Sequence, residues 1–297
     1  MVYARTAALG LPQAAVSNFH RTSPRRSLDI ARRRRLTVCL IVLAIGQSTR
    51  YPLILAGNRD EFHARPTAKA DWWADKKDVV GGRDLQAGGS WLALHRSGRF
   101  ATVTNYRDVE ATSAKFRSRG HLVTEFLEGK ESPLDYVNRI DGRHYAGFNL
   151  IVGDAGRAAY VSNRGAGPRE LTAGVYGLSN ALLDGPWDKV ERSKASLRAL
   201  LASERINETT MLRLLKDRAP GPIEETESGP LDFGAMRAIT APFIITPRYG
   251  TRCSTVVLVD NAGSWHMTER RFDGAGVAIG DSRFTFIGAP PSSQDRQ

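Results

Sequence analysis

The chain has 297 residues, 41% of them hydrophobic and 25% charged, and a formal net charge of +11. These proportions are typical of a globular protein, and two cysteines are too few for a disulfide framework. Eight arginines against one acid give residues 1–37 a net charge of +7, which leaves only +4 on residues 38–297. The basic charge therefore belongs mainly to an N-terminal segment, and we expect no nucleic-acid partner.

Residues 1–37 have no sustained apolar period, and their hydrophobic runs are too short for a secretory core or a membrane span. We expect a disordered basic extension and no integral membrane segment. Three explanations stay open: an upstream start codon chosen in place of a GTG codon at Val38, an Arg-rich transit peptide, or a functional basic arm. The expected location is cytoplasmic, or mitochondrial if the segment is a genuine transit peptide.

The first half of the folded part shows β-rich runs and then helices. CLIVLAI (39–45) and PLILAG (52–57) predict a hairpin of buried strands, and WLALH (91–95) and FATVTNY (100–106) predict a second hairpin. GHLVTEFLEG (120–129) places four apolar residues on one helical face. SPLDYVNRI (132–140) predicts a helix with Ser132 as N-cap and Pro133 in its first turn.

The second half repeats this order. FNLIVGDAGRAAYVSN (148–163) predicts a hairpin that turns at residues 154–157, and GVYGLSNA (174–181) predicts a further strand. Helical periodicity runs from about Pro186 to Asp217, residues 218–235 read as a loop, and TRCSTVVLV (251–259) with SWHMTERRF (264–272) predicts a last hairpin. The plan is an α+β fold of antiparallel sheets covered by helices, with residues 38–297 as one domain.

The densest charge follows the second strand, in NRDEFHARPT (58–67). A solvated turn explains so many charges poorly, so we expect a hydrogen-bond network at the mouth of a pocket, where Arg59 or Arg65 holds a carboxylate. The six histidines are scattered, and no metal-ligand spacing, phosphate-binding loop or dinucleotide fingerprint is present. We therefore predict no metal site and no required cofactor.

Seven segments follow one another in order within residues 38–290: CLIVLAIGQSTRYPLILAGNRDEFHARPT, GGRDLQAGGSWLAL, ATVTNYRD, GFNLIV, VSNRG, YGLSNALLDGPWDKV and YGTRCSTVVLVD. Together these segments resemble the NRDE family, also called the Transport and Golgi organisation protein 2 family. Members of this family characteristically begin Met-Cys, which aligns the initiator with Val38. The resemblance implies an N-terminal-nucleophile hydrolase fold, a four-layer αββα sandwich like that of the cysteine-dependent penicillin V acylases and bile-salt hydrolases.

The resemblance also implies a chemistry. If Cys39 is the first residue of the mature chain, its thiol is the nucleophile and its α-amine, with an ordinary pKa of about 7.7 to 8.0, is the base. We expect Asp60 to hold that amine and Asn105 and Asn180 to donate to an oxyanion. Arg252 resembles the acylase arginine, although the acylases place another arginine where Gly57 stands here. The expected activity is amide or thioester hydrolysis of an acyl substrate. The expected ligand-binding residues are Asn58, Arg59, Glu61, His63 and Arg65.

Other interpretations remain beside this one. Family members are associated with haem trafficking, with acyl-CoA or lipid handling and, in animals, with Golgi organisation and secretion. A non-enzymatic carrier of haem or acyl-CoA is therefore the alternative, with a basic mouth formed by Arg59, Arg65 and Arg83. A cysteine in an apolar strand is also commonly a small buried hydrophobe, which is the reading we give Cys253. Neither reading fixes the oligomeric state.

Overall fold

The computed structural model describes residues 39–107, 116–154, 156–222 and 233–288. The basic segment 1–37, Val38 and most of the predicted loop at 218–235 lie outside the described residues. The end of that predicted loop is instead the start of a short helix, Phe233–Ala238. Met236 of this helix is buried with Ile244 and Tyr249, and this small apolar cluster accounts for the helix.

Thirteen strands and five α-helices lie in the described ranges. The strands are β1 (Cys39–Ile45), β2 (Leu53–Phe62), β3 (Thr67–Trp72), β4 (Val79–Asp84), β5 (Leu92–His95), β6 (Arg99–Asn105), β7 (Phe148–Asp154), β8 (Ala158–Ser162), β9 (Arg169–Leu171), β10 (Gly174–Leu178), β11 (Tyr249–Val259), β12 (Ser264–Phe272) and β13 (Ala278–Ile287). The helices are α1 (Gly120–Glu128), α2 (Pro133–Asn138), α3 (Asp188–Ala202), α4 (Glu208–Leu214) and α5 (Phe233–Ala238), with a 3-10 turn at Gly142–His144.

The strands form two antiparallel sheets. The first sheet has the order β10-β1-β2-β11-β12-β13, and the second has the order β3-β4-β5-β6-β7-β8-β9. The four predicted hairpins are present, as β1–β2, β5–β6, β7–β8 and β11–β12. Helix α2 begins as predicted, because the Ser132 side chain accepts a hydrogen bond from the Asp135 backbone N–H and Pro133 is its first residue.

Three apolar clusters show how the layers stack. One cluster lies between the sheets and joins Ile41 and Leu55 of the first sheet to Leu94 and Ile151 of the second. A second cluster packs α1 and α2 on the outer face of the second sheet, and a third packs α3 and α4 on the outer face of the first sheet. The predicted α+β class and αββα sandwich are confirmed.

Strands β3, β4, β9 and β13 were not predicted, since their sequences lack a long apolar run. The pairing of β3 with β4 shifts register between Ala68 and Asp71, which breaks the alternation in TAKADW. Strand β13 pairs only with β12 at one edge of its sheet, and it alternates polar and apolar residues weakly. Within the described ranges no helix has the length and apolar character needed to cross a membrane.

Candidate active site around Cys39

The NRDE segment lies inside a strand and not at a strand's mouth, which corrects the expectation from the sequence. Strand β2 runs through Asn58, Arg59, Asp60 and Glu61 to Phe62. It pairs on one side with β1 and on the other with β11. Strand β1 pairs with β2 as far as Arg59, and β11 pairs with it as far as Phe62, so pairing with β11 continues the strand through Asp60 and Glu61.

Alternation along β2 sends these side chains to opposite sides of the sheet. Ile54 and Ala56 pack against the helices, and Asn58 and Asp60 share their parity. Leu53 and Leu55 pack between the sheets, and Arg59 follows on that side, where its guanidinium lies 4.3 Å from the centre of the Trp91 ring. Arg59 lies directly opposite Cys39 of β1 and Cys253 of β11, so these three residues form one row across the sheet.

Cys39 is held by its backbone at the start of β1. Its N–H donates to Asn180 Oδ1 at 3.1 Å, and its carbonyl accepts from the Ser179 hydroxyl at 2.6 Å. Asn180 Nδ2 in turn donates to the carbonyl of Asn105 at 2.6 Å. The structure therefore brings together three predicted residues, Cys39, Asn105 and Asn180, from the ends of β1, β6 and β10.

The Cys39 thiol sits in surroundings that disfavour its charged form. The residue is 8% exposed. Burial, reinforced by the charge of Asp60, raises the pKa of the thiol to about 12, although the backbone N–H of Asp60 opposes the shift. The thiol is consequently neutral near pH 7, and any nucleophilic chemistry at Cys39 needs a base.

The two oxygens of the buried Asp60 carboxyl group differ in their hydrogen bonds. The residue is 1% exposed. Its Oδ1 accepts from the Thr251 hydroxyl at 2.6 Å, whereas its Oδ2 has no hydrogen-bond partner among the described residues. Burial raises the pKa of the carboxyl, and Lys189 is the strongest charge that opposes this shift.

Asn58 is fully occupied by protein groups. Its Nδ2 donates to the carbonyls of Leu215 and Pro242 at 2.9 and 2.8 Å, and its Oδ1 accepts from the Ser254 hydroxyl at 2.6 Å. At 2% exposure it ties β2 to the chain that covers the sheet. These contacts favour a structural role over the ligand-binding role expected for Asn58.

The arginines of the expected basic mouth each lie beside carboxylates. Arg65 Nε and Nη2 lie 2.8 and 2.7 Å from Asp84 Oδ2, and Arg83 makes two hydrogen bonds to Asp75. Arg59 donates to Thr67 Oγ1 at 3.0 Å, and its Nη2 lies 4.0 Å from both Glu61 and Asp84. Carboxylates of the protein therefore neutralise these three arginines, and the described residues do not form the basic mouth expected from the sequence.

His63 and Arg252 organise the turn that follows β2. Arg252 occupies a bulge in β11, and its Nη1 donates to the carbonyls of Phe62, His63 and Arg65. His63 Nε2 lies 3.0 Å from the carbonyl of Thr246. Both side chains thus contact backbone within the protein, and their expected roles at the site stay predictions.

A family model described as Transport and Golgi organisation 2 matches residues 38–274. A human Transport and Golgi organization protein 2 homolog is 37% identical over 242 residues, which cover 74% of this chain and 86% of the human protein. The Transport and Golgi organization protein 2 of Drosophila melanogaster is 30% identical over 247 residues, 75% of this chain and 87% of the fly protein. The chain belongs to the Transport and Golgi organisation 2 family.

Two solved structures are similar at a lower level. An N-acylethanolamine-hydrolyzing acid amidase ortholog from Caenorhabditis elegans has a TM-score of 0.45 and 14% identity, covering 74% of this chain and 92% of its own. A conjugated bile acid hydrolase from Clostridium perfringens has a TM-score of 0.45 and 11% identity, with coverages of 84% and 96%. At these levels the activities of the two enzymes are not carried over to this member of the family.

Several residues of the site were missed by sequence reasoning. The hydroxyls of Ser179 and Thr251 are short polar groups in strand ends, and nothing in the family segments distinguished them from ordinary β residues. Lys189 follows the start of a helix, where a lysine is normally solvated. It is nevertheless 2% exposed, and the available signals were its place in the family segment YGLSNALLDGPWDKV and the apolar Val190 beside it.

Replacing Asn58 by leucine tests whether this residue is structural. The change leaves two buried carbonyls and a hydroxyl without their partner, and each such group costs about 1–3 kcal/mol. We expect the free energy of unfolding, measured by urea denaturation, to fall by about 3 kcal/mol. The control is Asn261→Ala, an exposed residue that also donates to a carbonyl. Equal small losses in both variants would contradict the assignment.

The thiols should label slowly in the folded full-length chain. Since burial raises the pKa of Cys39 from 9.0 to about 12, its thiolate fraction at pH 8 falls about a thousandfold below that of a free cysteine. Iodoacetamide alkylation of the Cys253→Ser variant, followed by mass spectrometry, measures Cys39 alone. Labelling should become fast in urea, and fast labelling of the native protein would show that the thiol is open or ionised.

Proposed function

We propose that this protein is a cysteine-dependent N-terminal-nucleophile hydrolase that cleaves an amide or thioester bond of an acyl substrate. The observation that carries the proposal is the setting of Cys39, whose backbone nitrogen is held by Asn180 Oδ1 next to the buried carboxylate of Asp60. The proposal requires that Cys39 be the first residue of the working chain.

The neutral thiol is the main reason for assigning the α-amine as base. An α-amino group has an ordinary pKa of about 7.7 to 8.0, so a fraction is neutral at physiological pH. The contact with Asn180 Oδ1 suits an α-amine as well as a backbone amide, because the N–H of either group can donate a hydrogen bond to that oxygen. The same contact favours Asn180 as a residue that orients the amine.

The reaction follows from these groups. The amine takes the thiol proton as Sγ attacks the acyl carbonyl, and the resulting ammonium group returns that proton to the leaving nitrogen or sulfur as its bond to carbon breaks. Water then attacks the thioester carbonyl and gives a proton to the amine. The bond between carbon and Sγ breaks, the acid leaves, and the ammonium group returns the proton to Sγ to restore the thiol. Asn105 and Asn180 remain the proposed oxyanion donors, although the Asn180 amide now contacts Cys39 and Asn105.

Arg59 and Glu61 are the proposed contacts for the polar end of the acyl substrate. Arg59 lies opposite Cys39, and Glu61 is two residues further along β2, so the side chains of both are on the inter-sheet side, as that of Cys39 is. Arg59 also stacks on Trp91. Arg65 and His63 lie further along the chain, in and after the turn. A carrier of haem or acyl-CoA stays the alternative prediction, but the neutralised arginines give it no specific support. Absence of saturable binding in titrations with both ligands would exclude it.

Hydrolysis should require Cys39 to be the first residue of the chain, with a free α-amine. A protein cut to begin at residue 39, assayed on a panel of acyl amides and acyl thioesters, should turn over a substrate that the uncut chain does not. Cys39→Ser in the cut chain should lower kcat/KM at least about a hundredfold. Cys253→Ser is the matched control and should keep full activity. Unchanged turnover with Cys39→Ser would refute the proposal.

N-terminal sequencing and intact mass of the protein isolated from its native source decide the state of the chain. A mature chain that starts at Cys39 supports the amine as base. A mature chain that keeps residues before Cys39 removes the base and contradicts the mechanism.

A further inference from the structure

Lys189 is a buried lysine that the proposed mechanism does not yet use. It is the second residue of α3 and is 2% exposed. Its Nζ donates to the carbonyl of Ile239 at 3.4 Å, which is its one hydrogen bond among the described residues. A buried ammonium group with so little hydrogen bonding is costly unless a negative charge lies near it.

The segment 239–244 connects Lys189 to Asp60. Its first residue, Ile239, accepts from Lys189, and the backbone N–H of Ile244 donates to Thr251 Oγ1 at 2.9 Å. Thr251 then donates to Asp60 Oδ1. Lys189 and Asp60 therefore both lie buried on the helix-facing side of the first sheet.

The charges around Asp60 identify Lys189 as its counter-charge. Lys189 from α3 and Arg59 from β2 favour the carboxylate, with Lys189 the stronger, while Glu61 from β2 opposes it. Arg59 reaches the other face of the sheet, where it contacts Thr67 and Trp91. The Cys39 thiol of β1 is neutral near pH 7, and Thr251 of β11 supplies only a hydroxyl.

Asp60 in turn affects the pKa of Lys189. Burial lowers the pKa of Lys189, and Asp60 is the first charge that raises it again. Each group therefore favours the charged form of the other, against the burial that disfavours both charges.

We propose that Lys189 is a positioning residue: its buried ammonium group balances the charge of Asp60, so that this carboxylate can hold the α-amine of Cys39. The inference rests on the proposed hydrolase function for its last step only. The charge balance itself is a property of the folded chain, and it can be measured without a substrate.

The first experiment measures proton linkage. Lys189→Met should raise the pKa of Asp60, so the folded state then binds a proton that the unfolded state releases above its ordinary pKa of about 4. In the wild type, where burial raises the pKa of Asp60 to about 7, the free energy of unfolding should fall with rising pH only up to about pH 7. In Lys189→Met the fall should continue to higher pH, so that the slope between about pH 7 and 8 approaches one proton and exceeds that of the wild type. Asp60→Asn added to Lys189→Met should remove the extra slope, and Lys189→Arg should restore the wild-type profile.

The matched control is Lys194→Met. Lys194 is a second buried lysine of α3, but it pairs with Asp184 at 2.7 Å. Its removal should leave the slope between pH 5 and 8 as in the wild type. An unaltered slope in Lys189→Met would overturn the proposal, as would an extra slope that survives Asp60→Asn. If Lys189→Met does not fold, folding of Lys189→Met with Asp60→Asn would support the pairing, and failure of both would contradict it.

The second experiment uses the cut chain that begins at Cys39. In Lys189→Met the acidic limb of kcat/KM should move to higher pH by about one unit or more, because Asp60 must first lose its proton. A profile that falls uniformly at all pH values, with no shift of the limb, would refute a role through Asp60. If the wild type turns over no substrate, the hydrolase function fails, while the linkage experiment still decides the charge balance.

Discussion

Strand β2 is buried on both faces, and this constraint governs the site. A strand inside a four-layer sandwich has no solvent to receive its polar side chains, so each must find a partner within the protein. Asn58 and Asp60 find theirs under the helices, and Arg59 finds its own between the sheets. The polar end of β2 therefore fixes the position of Cys39 opposite it, because a slip of one residue would exchange the two sets of side chains.

The same constraint explains how the charges are arranged. Arginines near the site lie close to carboxylates, whereas Asp60 and Lys189 are both buried and form no short ion pair among the described residues. The first arrangement leaves little net charge on these side chains. The second keeps charge inside the protein at an energetic cost, which is the pattern expected where a fold preserves a chemical function.

Much of the fold was predictable because its strands are continuous apolar runs. CLIVLAI and TRCSTVVLV are buried on both faces, so apolar content alone identified β1 and most of β11. The polar strand ends were not predictable in the same way: NRDEF is strongly charged, and only pairing with β1 and β11 makes it a strand. The family resemblance supplied Cys39, Asn105 and Asn180 as site residues. It did not single out Lys189, although this residue lies in the segment YGLSNALLDGPWDKV, since the residue that accepts its hydrogen bond, Ile239, is far away in sequence.

The row formed by Cys39, Arg59 and Cys253 has a consequence for oxidation. The two cysteines lie on strands that flank β2, and two strand spacings separate their backbones by about 9–10 Å. A disulfide needs Cα atoms within about 7 Å of each other, so the intact sheet keeps these two thiols from joining. Oxidation of the Cys39 thiol in the intact sheet therefore does not end in a disulfide with Cys253, the other cysteine of the chain.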